Sequence, residues 1–109
     1  MYKKIFIPKN RTYSDFSEDG YIHLIKNNKQ HYYKDKQLHR VDGPAVIWNS
    51  RSSFWYLNGN RHREDGPAVV LGTGAMEYYL NGNFYSEERF KKEVLKKEAL
   101  EKTSLIKFE

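Results

Sequence analysis

The residues best suited to chemistry in this 109-residue chain lie in two copies of the phrase His-Arg-x-Asp-Gly-Pro-Ala, at positions 39–45 and 62–68. A histidine close to a carboxylate can act as a general base or contribute to a zinc site. A general base needs a nearby nucleophile, and a zinc site needs three or four convergent donors. Neither arrangement is evident around either copy. The duplication also argues against catalysis, because an active site requires a single asymmetric arrangement.

A structural role explains the duplicated phrase better, as a connector that leads into a strand. Proline fixes φ where the strand begins, glycine supplies unusual torsions, and aspartate accepts hydrogen bonds from loop amides. The arginine two residues before the aspartate can brace the loop by a charge-assisted hydrogen bond. The residues assigned to this structural loop are His39, Arg40, Asp42, Gly43, Pro44, His62, Arg63, Asp65, Gly66 and Pro67. We therefore expect no catalytic residue, metal ligand or cofactor, and we predict that the protein is not an enzyme.

The two phrases belong to a longer pattern that recurs every 23 residues without gaps, as the aspartates at 19, 42 and 65 show. Such an interval indicates a tandem array of one structural unit. Each unit has one β-type run before the Asn-Gly and a second run after the Asp-Gly-Pro. We predict units at 31–48 and 54–71, a partial unit at 77–85 and a degenerate unit at about 16–25.

The β-type runs predict a mainly β chain with a single elongated antiparallel sheet of about six or seven strands. We prefer two strands in each unit. The alternative treats Asn58-Gly59 as a hairpin turn followed by a third short strand at 60–62. Three antiparallel strands would invert every second unit, whereas an even number keeps all units in one orientation.

The end of the chain has a different pattern. Ser86 is a suitable helix N-cap, and Glu87 and Glu88 favour the first helical turn. We predict a helix from about 87 to 102 with a narrow apolar stripe that includes Phe90. The helix should cap the open end of the last unit or lie across a face of the sheet. We thus expect a single domain over 1–109, with β-units in 1–85 and a helix and tail in 86–109.

The order aromatic-x-x-Asn-Gly-x-x-His, then a glycine and a β-run, resembles the MORN repeat family. Residues 31–47 and 54–70 carry the pattern well, and the Arg-x-Asp-Gly-Pro segment departs from the family, which has glycines there. The variant is similar to tandem-repeat proteins that phages and other large DNA viruses encode. This resemblance implies an elongated antiparallel sheet used for protein or lipid contacts, and a viral accessory protein that engages a host protein in the cytoplasm.

Composition limits the cellular compartment and the kinds of partner that we expect. The formal net charge is +5, and residues 1–36 hold eight Lys or Arg against four acidic residues. We interpret this basic surplus as a solvated, solubilising surface, and the alternative is a patch that favours an anionic partner. The chain has no cysteine, no apolar run long enough to span a bilayer and no signal-peptide pattern, so we expect a cytoplasmic protein without a transmembrane segment. The oligomeric state stays open.

Two rows of aromatic residues are the main functional lead. Tyr32, Trp55 and Tyr78 form one row, and Tyr33, Tyr56 and Tyr79 form the next. Successive strand residues point to opposite faces, so the rows lie on opposite sides of the sheet. With turns centred near 50–51 and 73–74, Val46, Trp48 and Val69 should join Trp55 on the covered face, leaving the second row accessible.

We predict that the accessible row binds a partner, with Arg61 and Lys34 as cationic neighbours. The alternative is that tyrosine simply suits a half-exposed strand and that the row supports its own neighbours. The first hypothesis is a binding module for a protein partner. The alternative is a protein that sequesters nucleic acid or a small nucleotide through the tyrosines and the basic N-terminal third. An enzymatic site would require His23, His31 or Asp15 to meet other reactive groups, and their spacing does not favour it.

Overall fold

The computed structural model describes residues 2–6 and 20–106, with side chains described as far as residue 102. Within these residues the chain is mainly β, with one sheet of many strands and a single C-terminal helix. The elements are β1 (Lys3–Phe6), β2 (Tyr21–Lys26), β3 (Lys29–Lys34), β4 (Gln37–Leu38), β5 (Val46–Trp48), β6 (Ser52–Phe54), β7 (Tyr56–Leu57), β8 (Asn60–Arg61), β9 (Val69–Val70), β10 (Met76–Leu80), β11 (Asn83–Tyr85) and α1 (Glu87–Ile106). The beginning of the degenerate unit, Asp15 and residues 107–109 lie outside the described residues.

Two-residue turns join neighbouring strands. Asn58 and Gly59 have φ values of 50° and 83°, and β7 pairs with β8 directly across them. Positive φ at both central residues is the geometry of a type I′ hairpin turn, which glycine and asparagine tolerate best. Asn81-Gly82 and Asp35-Lys36 form turns of the same kind. The third short strand at the Asn-Gly turn therefore exists, and the preference for two strands in each unit is wrong.

The third short strand does not reverse the direction of the strands that follow, because β4 and β5 lie in one line beside β3. Both pair antiparallel with β3, whose other side is occupied by β2 along its whole length. Tyr32 marks the break between them: its N–H donates to the carbonyl of Ala45 at 2.7 Å, and its carbonyl accepts from the N–H of His39 at 2.9 Å. The loop 39–45 projects away from the sheet between β4 and β5, and both of its ends bond to Tyr32 of β3.

The main sheet has the order β1-β2-β3-β5-β6-β9-β10-β11, with β4 also beside β3, while β7 and β8 form a separate pair. The described strands therefore exceed the six or seven expected, because loops interrupt them. One strand also departs from the predicted antiparallel arrangement, since β1 pairs parallel with β2.

Cross-strand partners lie on the same face, which assigns every strand residue to one of two faces. We call one the tyrosine face, because it carries Tyr33, Tyr56 and Tyr79. We call the other the helix face, because its Tyr78 contacts α1. The helix face also carries Tyr32, which pairs with His23.

The predicted register of the between-unit turns is wrong by one residue. Phe54 pairs with both Val46 and Val69, so these valines lie on the tyrosine face rather than beside Trp55. The pairing of Trp48 with Ser52 centres the first turn on residue 50 itself. A slip of one residue moves every side chain of a strand to the opposite face.

Most of the buried aliphatic side chains consequently lie on the tyrosine face. Ile22 pairs with Tyr33 and is 0% exposed, and Val69 is 2% exposed. Leu24 and Val46 are buried on the same face. The helix does cover the side that carries Tyr78 of the Trp55 row, as expected, but the larger buried aliphatic side chains lie on the other side, where the three tyrosines are half-buried.

Helix α1 begins at a capped end and lies across the helix face. The Ser86 hydroxyl accepts a hydrogen bond from the N–H of Arg89 at 3.3 Å. Phe90 is 5% exposed, and its ring centroid lies 4.9 Å from that of Tyr78. Lys97 forms an ion pair with Glu64 of the second loop. The helix continues to Ile106, four residues beyond the predicted end at 102.

Candidate functional site

The histidines of the duplicated phrase tie each loop to a later turn. Nδ1 of His39 accepts a hydrogen bond from the backbone N–H of Asn58 at 3.0 Å, and Nδ1 of His62 accepts one from Asn81 at 2.9 Å. A neutral imidazole that accepts at Nδ1 carries its proton on Nε2. Both rings therefore join a loop to the hairpin turn 19 residues further along the chain.

The arginines brace the same loops, as the two-residue spacing predicts. Arg63 Nε donates to Asp65 Oδ1 at 2.8 Å, and Nη1 donates to the carbonyl of Pro67 at 3.1 Å. The guanidinium carbon lies 4.0 Å from the ring centroid of Trp55. Arg40 makes the corresponding contacts with Asp42, Pro44 and Tyr32. Each arginine thus links its loop to the aromatic residue opposite the break in the strand.

The glycines of the loops are required for close packing rather than for unusual torsions. Gly43 and Gly66 do not have φ in the left-handed region. A Cβ at Gly43 would lie 2.9 Å from Cζ of Arg40, and one at Gly66 would lie 3.0 Å from Cζ of Arg63. The torsional reason expected from the sequence is therefore wrong, since the guanidinium occupies the space that a side chain would need.

The other histidines are not brought together. His23 pairs with Tyr32 and His31 pairs with Leu24, which places the two imidazoles on opposite faces. Nε2 of His23 lies 2.8 Å from Oε1 of Gln30, and its ring stacks on Tyr32 with centroids 4.0 Å apart. Within the described part of the chain, no group of three or more His, Cys, Asp and Glu residues could hold a metal ion.

The tyrosine face carries five aromatic rings and one arginine that contact one another, and we call this group the aromatic surface. Its members are Trp48, Phe54, Tyr56, Arg61, Tyr79 and Phe84. Arg61 is its centre: Nε donates to the Tyr56 hydroxyl at 3.2 Å, and Nη1 donates to the Tyr79 hydroxyl at 3.3 Å. The Tyr79 hydroxyl in turn donates to Glu77 Oε1 at 3.2 Å. These bonds hold the arginine and both phenols in one arrangement.

Arg61 remains a cation in this setting. Desolvation acts to lower its pKa, but the hydrogen bonds to Tyr56 and Tyr79 outweigh that effect and raise the pKa above its ordinary value. The carboxylate of Glu77 lies 4.0 Å from Nη1, and both side chains are partly exposed. An exposed pair at this distance contributes little to stability. The charge of Arg61 is therefore only partly compensated within the surface.

The aromatic surface is most exposed at its two ends. The Trp48 and Phe54 ring centroids are 5.5 Å apart at one end, and those of Tyr79 and Phe84 are 5.6 Å apart at the other. Trp48 is 44% exposed and Phe84 is 62% exposed. The ammonium group of Lys29 lies 4.9 Å from the Trp48 ring centroid. Large rings thus remain accessible beside a half-buried centre.

Three of the five predicted binding residues, Tyr56, Tyr79 and Arg61, are brought together by these hydrogen bonds. Tyr33 lies on the same face, paired with Leu38, and burial raises its pKa. Lys34 pairs with Tyr21 and lies with its ammonium group 4.4 Å from that ring, on the helix face. The structure therefore separates Lys34 from the tyrosine row.

Sequence reasoning missed the two most exposed rings of the surface. Trp48 was placed on the wrong face by the one-residue error in the turn. Phe84 lies 23 residues after Arg61 and follows the Asn81-Gly82 turn, which places it opposite Tyr79. The three-strand alternative would have identified this ring, because a strand after the Asn81-Gly82 turn places Phe84 beside Tyr79.

No helix in the described residues is long and apolar enough to cross a membrane. Comparisons with protein-family models, with curated protein sequences and with solved structures gave no match to this chain.

Proposed function

We propose that this chain is a non-enzymatic, tandem-repeat module that binds a protein partner through the aromatic surface. The observation that carries the proposal is the Arg61 cluster, in which one cation orders two phenols between exposed rings. Tyrosine, tryptophan and arginine are the residues most often found at the energetic centres of protein interfaces. A surface that is ordered before binding also loses less conformational entropy on association.

The tandem-repeat part of the proposal rests on contacts that recur after 23 residues. The His39–Asn58 and His62–Asn81 bonds are separated by this interval, and so are the two arginine braces. Stacked units of one kind present equivalent side chains at regular spacing along a surface. This regularity supports the resemblance to MORN-like repeats, and with it an accessory role in the cytoplasm of a virus-infected host.

The non-enzymatic part rests on how the reactive residues are used. The imidazoles of His39 and His62 accept backbone hydrogen bonds, and Asp42 and Asp65 accept from arginines. These contacts stabilise the loops and leave each group committed to a structural partner.

The test is affinity capture from a lysate of the native host, with matched variants of exposed residues. Trp48→Ala and Phe84→Ala remove rings from the aromatic surface, whereas Leu95→Ala removes a side chain that is 64% exposed on the helix. We expect a specific protein to be retained roughly tenfold less by the first two variants and undiminished by the third. Equal retention by all variants would refute the assignment of the surface.

Nucleic-acid binding is the second candidate, because Lys29 lies over Trp48 and places a cation next to an exposed ring. Bases stack on aromatic residues while cations neutralise phosphates. The two functions differ in their response to salt. The affinity for a nucleic acid held by phosphate contacts falls steeply between about 50 and 200 mM salt. The affinity for a protein bound through the aromatic surface should change little over the same range.

A further inference from the structure

We propose that the partner segment bound by the tyrosine face is acidic and proline-rich, and that it lies across the strands as a polyproline II helix. The inference rests on the proposed function and names the chemistry of the partner. Three observations support it: the spacing of the tyrosines, the chemistry of the groups between them, and the charge of the face.

The tyrosine spacing matches the pitch of a polyproline II helix. Tyr33, Tyr56 and Tyr79 lie on strand lines two apart, because the sheet order runs β3-β5-β6-β9-β10 and β7 continues the line of β6. Two strand spacings are roughly 9.5 Å. A polyproline II helix has three residues per turn and rises about 3.1 Å per residue, which gives roughly 9.3 Å per turn. Every third residue of such a segment can therefore meet one tyrosine.

The groups between the tyrosines suit a segment of this kind. Leu38 pairs with Tyr33 and Arg61 pairs with Tyr56, so one apolar and one cationic side chain lie between the three tyrosines. Phe84 pairs with Tyr79 and lies beyond it. Polyproline II segments dock on aromatic-lined surfaces with little loss of conformational entropy. Their carbonyls have no internal partners. Arg61 has five N–H groups, and its described hydrogen bonds use those on Nε and Nη1.

The charge of the face indicates an acidic partner. Its strand residues include the cations Lys3, Lys26, Lys29 and Arg61. Glu77 is the only acidic residue in any described strand, and it already accepts a hydrogen bond from Tyr79. Complementary charge increases the association rate and excludes partners of the wrong sign.

The experiment uses labelled synthetic peptides of equal length and fluorescence anisotropy with the full chain. The probe repeats Pro-Pro-Glu; one comparison peptide repeats Gly-Ser-Glu, which keeps the charge and removes the polyproline conformation. A second repeats Pro-Pro-Lys, which keeps the conformation and reverses the charge. We expect the Pro-Pro-Glu peptide to bind at least roughly tenfold more tightly than either, a difference of about 1.4 kcal/mol.

Variants then place the peptide on the face. Phe84→Ala and Arg61→Gln should each weaken binding of the Pro-Pro-Glu peptide roughly tenfold. Met76→Ala is the control, because Met76 is 58% exposed and pairs with Val70 on the helix face. Circular dichroism establishes that each variant keeps the wild-type fold. Equal weakening by Met76→Ala would overturn the proposed location.

Four results would overturn the inference: no binding of the Pro-Pro-Glu peptide, equal binding of the Gly-Ser-Glu peptide, equal binding of the Pro-Pro-Lys peptide, or tighter binding of an oligothymidylate of matched length. If the peptides fail while Phe84→Ala still loses a host protein in the capture experiment, the inference falls and the proposed function stands. If both experiments fail, the aromatic surface is not the binding site.

Discussion

His62 accepts at Nδ1 a hydrogen bond from the backbone N–H of Asn81, 2.9 Å away, and so joins a loop to a hairpin turn. His62→Ala should lower the free energy of unfolding by about 1 kcal/mol, because it removes one such bond from a partly exposed site. Urea denaturation measures this change. In His62→Asn an amide oxygen can take the place of Nδ1, so this variant should lose less than His62→Gln. Equal losses in both variants would contradict the role of Nδ1.

Gly66 and Arg63 should be energetically coupled. A Cβ at residue 66 would lie 3.0 Å from the guanidinium carbon of Arg63, which also lies 4.0 Å from the ring centroid of Trp55. We expect Gly66→Ala to destabilise the protein by about 1–3 kcal/mol, as overpacking does. In an Arg63→Ala background the same substitution should cost at least about 0.5 kcal/mol less. A double-mutant cycle by denaturation measures the coupling, and strictly additive losses would show that the arginine is not the obstacle.

Phe90 should carry most of the attachment of the helix to the sheet. It is 5% exposed and packs against Tyr78, whereas Leu95 is 64% exposed on the same helix. Phe90→Ala should lower the free energy of unfolding by about 3 kcal/mol, in line with other buried phenylalanines. Leu95→Ala should change it by less than about 0.5 kcal/mol. A Phe90→Ala protein as stable as Leu95→Ala would mean that the helix contributes nothing through this contact.

Two histidines should make the fold less stable at mildly acidic pH. Desolvation lowers the pKa of His23 despite its hydrogen bond to Gln30, and desolvation together with Lys29 lowers the pKa of His31. The unfolded chain therefore binds protons more readily than the folded chain. Stability should fall as pH decreases below the ordinary histidine pKa of about 6.5.

The urea midpoint should accordingly be lower at pH 5.5 than at pH 7.5. Replacing both histidines, in a His23→Phe and His31→Phe protein, should reduce the difference between the two midpoints. Because absolute stability will also change in that protein, the slope against pH is the quantity to compare. An unchanged slope would assign the pH dependence to other groups.

Features governed by neighbouring residues were predictable. Ser86 caps the helix and Arg63 braces Asp65 two residues away, as expected, whereas the Asn-Gly turns at positive φ belong to the three-strand alternative that was not preferred. Each depends on the torsional preferences or reach of a few adjacent residues. The helix end was less predictable, since the helix runs to Ile106, four residues beyond the expected end.

Features governed by strand pairing were not predictable to the same degree. The two-residue periodicity of a strand separates Tyr32 from Tyr33, but it does not state which row shares a face with Val46. That choice depended on one residue in the turn around Ser50. The reason for Gly43 was likewise misjudged, because it depends on where the Arg40 guanidinium lies rather than on backbone torsion.

By itself, the sequence determined which loop residues could brace one another and where the helix begins, because these depend on interactions over a few residues. Only the tertiary structure decided which side chains share a face, and it gathered Tyr56, Arg61 and Tyr79 into one hydrogen-bonded cluster. The physical reason is that register is set by hydrogen bonds between separate strands. A shift of one residue preserves the local pattern but exchanges the two faces of the strand.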